Sequence, residues 1–211
     1  MRILGVLATL LFFTGTIYSA TIYVPDDYAT IQEAIDGSVN GDTVIVRPGT
    51  YVENISFEGM AITVLSEQGS ALTTIDGNQT GSVVTFERSE QSDSVLDGFT
   101  ITNGTGTFDG SYEYHGGGIY IKYSSPTITN CIIDNNQADM GGGVYCHQSS
   151  PNILKNTISN NTSEEEGAGI YCSNSWSPTI MGNLIIENKT SWATHLTSPH
   201  SRIEKLKLKK N

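Results

Sequence analysis

Tyr120, Tyr145 and Tyr171 recur at intervals of 25 and 26 residues, each after a glycine and a β-branched residue. Lys122 and His147 stand two positions after the first two of them. Aromatic faces at regular steps suit stacking against sugar rings. A lysine and a histidine beside them could neutralise a uronate and abstract a proton. The same tyrosines would also stabilise a sheet by pairing along one face. A second set of candidates is acidic: Glu113, Asp139 and the run Glu164-Glu165-Glu166 precede the three glycine-rich segments. Carboxylates on one ridge disfavour one another, and calcium would relieve that repulsion by taking several carboxylate and carbonyl oxygens. The alternative is a solvated turn that keeps the protein soluble. No Gly-Gly-x-Gly-x-Asp calcium repeat accompanies these residues, and calcium is the one cofactor the sequence suggests.

What would position these residues is an internal repeat. Gly116-Gly117-Gly118-Ile119-Tyr120, Gly141-Gly142-Gly143-Val144-Tyr145 and Gly167-Ala168-Gly169-Ile170-Tyr171 align, and each is followed by Ser-Pro at 125–126, 150–151 and 177–178. Next come apolar positions (Ile128, Ile153, Ile180), a second set five residues on (Ile133, Ile158, Ile185), and then asparagines: Asn135-Asn136, Asn160-Asn161 and Asn188. A divergent copy, Leu96 to Asn103, precedes them, separated by an insertion around Gly104 to His115. A period of about 25 without long 3.6-residue periodicity predicts three short strands per coil of an all-β parallel solenoid.

Stacked coils place equivalent residues above one another, about 4.8 Å apart. Alternation then puts Ile119, Val144 and Ile170 inside, the three tyrosines outside, and Ile121, Cys146 and Cys172 inside again. Cys146 and Cys172 share an interior column as small buried hydrophobes, where a disulfide between them would fit. Phe99, Cys131, Asn156 and Asn183 form another column, in which stacked asparagines can hydrogen-bond along the axis. Upstream, Ala29 to Ile35 reads as a short amphipathic helix with Ile31, Ala34 and Ile35 on one face. Such a helix supplies the terminal cap a solenoid requires.

Of 211 residues, 22 are acidic and 11 basic, a net charge of −11. Between Thr21 and Lys189 the count is 21 acidic against 5 basic. Nucleic acid is excluded as a partner, because phosphate binding needs clustered lysine and arginine. Arg2 followed by the apolar run Ile3 to Phe13 and small residues up to Ala20 reads as a signal peptide over residues 1–20. That run is too short to span a bilayer comfortably, and no later segment could serve as a transmembrane helix. The mature chain is therefore expected to be secreted, periplasmic or at the cell surface. Acceptor patterns such as Asn54-Ile55-Ser56 and Asn78-Gln79-Thr80 occur at the rate an Asn/Ser/Thr-rich chain produces by chance. From residue 191 to 211 the period vanishes and the tail turns basic, as expected of a truncated or frame-shifted reading, with a genuine polar tail as the alternative.

The stretch from Tyr28 to Ile55, with Tyr-Ala-Thr-Ile-Gln-Glu-Ala-Ile, Gly-Asp-Thr-Val and Pro-Gly-Thr-Tyr-Val-Glu-Asn-Ile, resembles the opening of the pectin-lyase-like superfamily, NosD-like periplasmic proteins included. The Gly-Gly-Gly-Ile-Tyr and Thr-Ile-Thr-Asn-Cys-Ile-Ile-Asp-Asn-Asn units are similar to repeats of polymorphic outer-membrane proteins. This resemblance covers residues 21–190 and implies a right-handed parallel β-helix of about six coils. It brings no catalytic residue with it. The Arg-x-Pro-x-x-Arg and Trp-x-Asp-His elements of pectate lyases are absent, as are the Asn-Thr-Asp and Gly-His-Gly elements of polygalacturonases. The paired aspartates of pectinesterases are missing too. The leading expectation is engagement of extracellular polysaccharide or surface glycan, with Tyr120, Tyr145, Tyr171, Lys122 and His147 as contacts. The rivals are a polysaccharide lyase or hydrolase whose catalytic coils are missing or unrecognised, and a structural or adhesin stalk.

Overall fold

The computed structural model describes residues 19–110, 113–175 and 177–190, together with the backbone of the strands Arg202–Glu204 and Lys207–Leu208. Residues 1–18 of the expected signal peptide and most of the basic tail lie outside these residues. One complete coil runs through the strands Thr127–Thr129, Ile132–Asp134, Gln137–Met140 and Val144–His147, and Asn152–Leu154 begins the next level. Each strand stacks on its equivalents in neighbouring coils. Four sheets result, here numbered I to IV in the order a coil visits them, with eight, seven, five and five strands. The pairings are parallel, except within the hairpin Thr107–Phe108 and Tyr114–His115. Because successive parallel strands lie one full turn apart, the architecture is a right-handed parallel β-helix of about six turns.

Four strands per coil differ from the three that the sequence pattern suggests. The extra one, Gln137–Met140 and its equivalent Thr162–Glu166, lies in a polar stretch that reads as a turn by composition. Its strand character comes from pairing with the coils above and below, which residue propensity does not report.

All four corners use a left-handed residue. In the coil above these are Asn130 (φ 53°), Asn135 (φ 55°), Gly141 (φ 66°) and Gln148 (φ 47°). Asparagine is the side chain best suited to that conformation, which explains its frequency at the repeat boundaries. In the triplets 116–118 and 141–143 the second and third glycines serve a different need, whereas the third segment carries Ala168 at the middle position. A Cβ on Gly142 would sit 2.1 Å from the Thr162 carbonyl oxygen, and one on Gly143 would sit 2.5 Å from that of Gly169. The coils touch backbone to backbone there.

Inside, side chains pile up by type. Val44, Val64, Leu96, Ile128, Ile153 and Ile180 are in register through sheet I and all buried. Burying each such side chain contributes about 1.5–3 kcal/mol. Cys146 and Cys172 pair in register as buried free thiols, so no disulfide joins them. The hydrogen bond to Cys172, with burial behind it, raises the Cys146 thiol well above its ordinary value. Burial, with a smaller contribution from the charge of Asp97, pushes Cys131 up to about 12.

Asparagines form two ladders. In the first, Asn156 Oδ1 accepts from the Cys131 N–H at 2.8 Å, and Asn183 Oδ1 from the Asn156 N–H at 2.8 Å. In the second, Asn136, Asn161 and Asn188 repeat the arrangement at the next corner.

The helix Ile31–Asp36 closes the N-terminal end, with Ile31, Ala34 and Ile35 buried against the first coil. Thr30 and Glu33 form a capping box. Both oxygens of Glu53 accept from helix N–H groups, those of Ile31 and Gln32, at 2.9 Å each. The Gln32 amide accepts from the Ser56 N–H and donates to the Ser56 carbonyl at 2.7 and 3.2 Å. One side chain thereby occupies the open edge of sheet IV as an additional strand would.

Candidate functional site

The expected columns on sheet IV are in register: Tyr120 with Tyr145 and Tyr171, and Lys122 with His147 and Ser173. Consecutive rings lie 5.7 Å apart in both steps, with planes 5° and 26° from parallel. The tyrosines point away from the core, as alternation demands, yet they do not form the sugar-stacking stripe expected from the sequence. Tyr120 is 1% exposed and Tyr145 5%, and Tyr171 is half-buried. The cause is the insertion at residues 104–115, whose hairpin folds back over sheet IV. Its last residue, His115, lays its ring on Tyr145 at 4.4 Å and 24°. Ring faces that a sugar would need are thus occupied by neighbouring rings.

Around this stack the polar groups gather. Asp109, at the hairpin tip, reaches His115 Nε2 at 3.4 Å with one oxygen and Lys122 Nζ at 3.5 Å with the other. Glu113 lies 3.9 Å from the same His115 nitrogen. Burial raises the phenols of Tyr120 and Tyr145 far above the usual value, with Asp109 adding to the effect. Burial lowers the affinity of His147 for a proton, and Lys122 lowers it further. His147 is therefore neutral at physiological pH, with Nδ1 buried and without a hydrogen-bond partner. Lys122 and His147 are in register on neighbouring coils, beside a carboxylate, Asp109, that the sequence did not single out.

An open concavity lies around the corner, along sheet III. It is a groove of about 840 Å³ lined by Gln79, Gly81, Thr105, Tyr114, Gln137, Ala138, Asp139, Thr162, Ser163 and Glu164. These residues come from four successive levels of the stack, so the groove runs along the solenoid axis for about 14 Å, three strand spacings. Tyr114 is its aromatic element, 50% exposed, with its ring 5.6 Å from that of Phe108. Asp139 both lines the groove and anchors the hairpin, accepting the Tyr114 N–H at 2.6 Å.

The acidic ridge expected from the sequence borders this groove. Burial raises the Glu165 carboxyl, and the nearby charges of Glu113, Asp139 and Glu166 raise it further. Glu113, Asp139 and Glu165 are thus close enough to feel one another. Among the described residues, however, no three His, Cys, Asp or Glu side chains converge as a metal site requires. Of the groove residues the sequence reading named Asp139 and Glu164 among its acidic candidates. Gln137 and Thr162 carried a usable signal, since each directly follows a ladder asparagine in its repeat.

Residues 42–207 match a protein family described as the right handed beta helix region. The chain belongs to this right-handed β-helix family. No curated protein matches it in sequence. Among solved structures, the β-helix is similar to a pectin methylesterase crystallised with hexasaccharide VII, at 10% identity and a TM-score of 0.43. The similarity covers 83% of this chain and 68% of that one. Among the described residues no helix is long and apolar enough to cross a membrane.

Proposed function

We propose that this β-helix is exported and holds a polysaccharide in the groove along sheet III. The observation that carries the reading is the groove's lining, which combines side-chain amides, hydroxyls, carboxylates and one half-exposed tyrosine ring. Such groups match the alternating hydroxyls and C–H faces of a sugar chain: the polar groups fix orientation and the ring supplies apolar contact. Sugar contact shifts from the roofed tyrosines of sheet IV to Tyr114. Tyr171, Lys122 and His147 flank the covered stack as secondary contacts.

The test is retention on a panel of immobilised polysaccharides, followed by titration calorimetry with those retained. Tyr114→Ala should weaken binding roughly tenfold, the size of a lost aromatic contact of about 1.4 kcal/mol. Retention on none of the panel, or full affinity in Tyr114→Ala, defeats the proposal. Export has its own check: protein recovered outside the cytoplasm should begin at Thr21.

A second reading, polysaccharide cleavage, draws on neutral His147 beside Lys122 and Asp109. Release of unsaturated uronide absorbance, abolished by His147→Ala, would support it. No release from pectin, alginate or glycosaminoglycan would remove it.

A further inference from the structure

The hairpin formed by Thr107–Phe108 and Tyr114–His115 has two unlike faces. Thr107 pairs with His115 and Phe108 with Tyr114, so the members of each pair share a face and the two pairs lie on opposite sides. The Thr107 and His115 side is fastened to the rest of the solenoid. Ser82 Oγ lies 2.8 Å from Thr107 Oγ1 and donates to the His115 carbonyl at 3.2 Å, while the His115 ring rests on Tyr145. The other side is open. Phe108 is 55% exposed and Tyr114 50%, with their rings 5.6 Å apart and the planes inclined by 49°. Scattered exposed apolar side chains are ordinary, but two rings in contact on an anchored hairpin beside a groove form a patch.

Sheet III places this pair along the groove. Its strands run in the order Thr107–Phe108, Tyr114–His115, Gln137–Met140 and Thr162–Glu166. Phe108 therefore lies one strand from Tyr114 along the solenoid axis, toward the level of Gln79 and Gly81. The two rings follow one another at a step comparable to the width of a sugar ring. Gln79, Gln137 and Thr162 supply neutral hydrogen-bonding groups around them, and none of the described lining residues is cationic.

Resting on the polysaccharide reading above, we infer that Phe108 joins Tyr114 in a two-ring platform that selects a neutral polysaccharide linked through equatorial bonds. Equatorial bonds at both ends of each pyranose give an extended ribbon with apolar C–H faces, which two rings set in line can both contact. The twist of such a ribbon from sugar to sugar accommodates aromatic planes that are inclined to each other. An axial linkage turns each sugar away from the last, so only one aromatic face is used at a time. A uronate chain would find no cation in the lining to pair with its carboxylates. Because the hairpin is anchored by its opposite side, both rings are in place before the ligand arrives, and little ordering opposes binding.

The experiment compares three probes by calorimetry with the full chain: cellohexaose, maltohexaose, which differs from it only in linkage, and a hexagalacturonate. Cellohexaose should bind at least tenfold more tightly than either of the others. Phe108→Ala should weaken cellohexaose about threefold to tenfold, the size of one lost aromatic contact. Phe108→Leu should do the same: it keeps an apolar partner for Tyr114 in the hairpin but has no flat face, so its loss reports contact with the sugar rather than folding. Phe108→Tyr should retain the parent affinity. Maltohexaose bound as tightly as cellohexaose, with Tyr114→Ala still weakening both, overturns the linkage selectivity and leaves the groove reading standing. Hexagalacturonate bound as tightly as cellohexaose overturns the preference for a neutral chain. Parent affinity in both Phe108→Ala and Phe108→Leu removes Phe108 from the site. Retention of no glycan at all defeats this inference and the groove reading together.

Discussion

Asn161 is fully buried, and its polar atoms are matched on both sides. Its Oδ1 accepts from the Asn136 N–H and side-chain amide at 3.0 Å each, while its own amide donates to the Ile133 carbonyl and Asn188 Oδ1 at 2.9 Å. Truncation would strand groups on both neighbouring coils at once. Asn161→Ala should therefore cost about 3 kcal/mol in chemical denaturation, whereas Asn160→Ala, at an exposed neighbouring corner, should cost about 1 kcal/mol. Equal losses would mean that the ladder carries no special weight. The phenols give a second residue-scale prediction. Tyr120 and Tyr145 are raised above the ordinary value of 10.0. For a group raised in the folded state, stability is intact below the unfolded value and falls as pH climbs past it, because only the unfolded chain can then release the proton. The melting temperature should decline steeply above about pH 10, and less so in Tyr145→Phe. At this scale the columns were legible because strand alternation has a fixed period. Burial of the tyrosines was not, since it depends on where His115 lands, and the sequence around His115 has no counterpart in the other repeats.

Among the elements, the glycine triplets and the hairpin show opposite degrees of legibility. The triplets announce themselves by repetition, and their reason is steric: coils approach so closely that Gly142 has no room for a methyl group. Gly142→Ala should therefore destabilise the protein by about 3 kcal/mol, at the upper end of overpacking costs. Gly69→Ala meets nothing within 4 Å and carries only the strain of its positive φ, so it should cost about 1 kcal/mol. A denaturation midpoint for Gly142→Ala no lower than that of Gly69→Ala would contradict the close approach of the coils. The hairpin reads in sequence only as an interruption of the period. Yet it supplies Asp109, His115 and Tyr114, so the groups that distinguish one level of sheets III and IV from the next come from the one segment that breaks the repeat. Periodic residues build a surface that is nearly uniform along the axis, and a distinct site needs something aperiodic placed upon it.

Across the whole molecule, stability comes from contacts between neighbouring coils, so an uncovered end exposes both core and strand edge. At the N-terminal end the helix covers the core, and Gln32 alone satisfies both backbone groups of Ser56 on the sheet IV edge. Gln32→Ala removes both bonds while leaving Ile31, Ala34 and Ile35 in place. Two lost hydrogen bonds at a partly buried edge should lower stability by about 1–2 kcal/mol. The larger consequence is a free edge that another chain can pair with. Opposing that pairing is the net charge of −11, which keeps copies apart at low ionic strength. Association of Gln32→Ala should therefore be slight in dilute buffer and grow as salt shortens the screening length from about 30 Å at 0.01 M to about 8 Å at 0.15 M. Light scattering at matched concentrations distinguishes the two effects. A salt-dependent rise in mass for the variant, with none for the parent chain, identifies the Gln32 amide as the guard of that edge. Identical scattering of the two proteins at every salt concentration would show that the helix alone closes it.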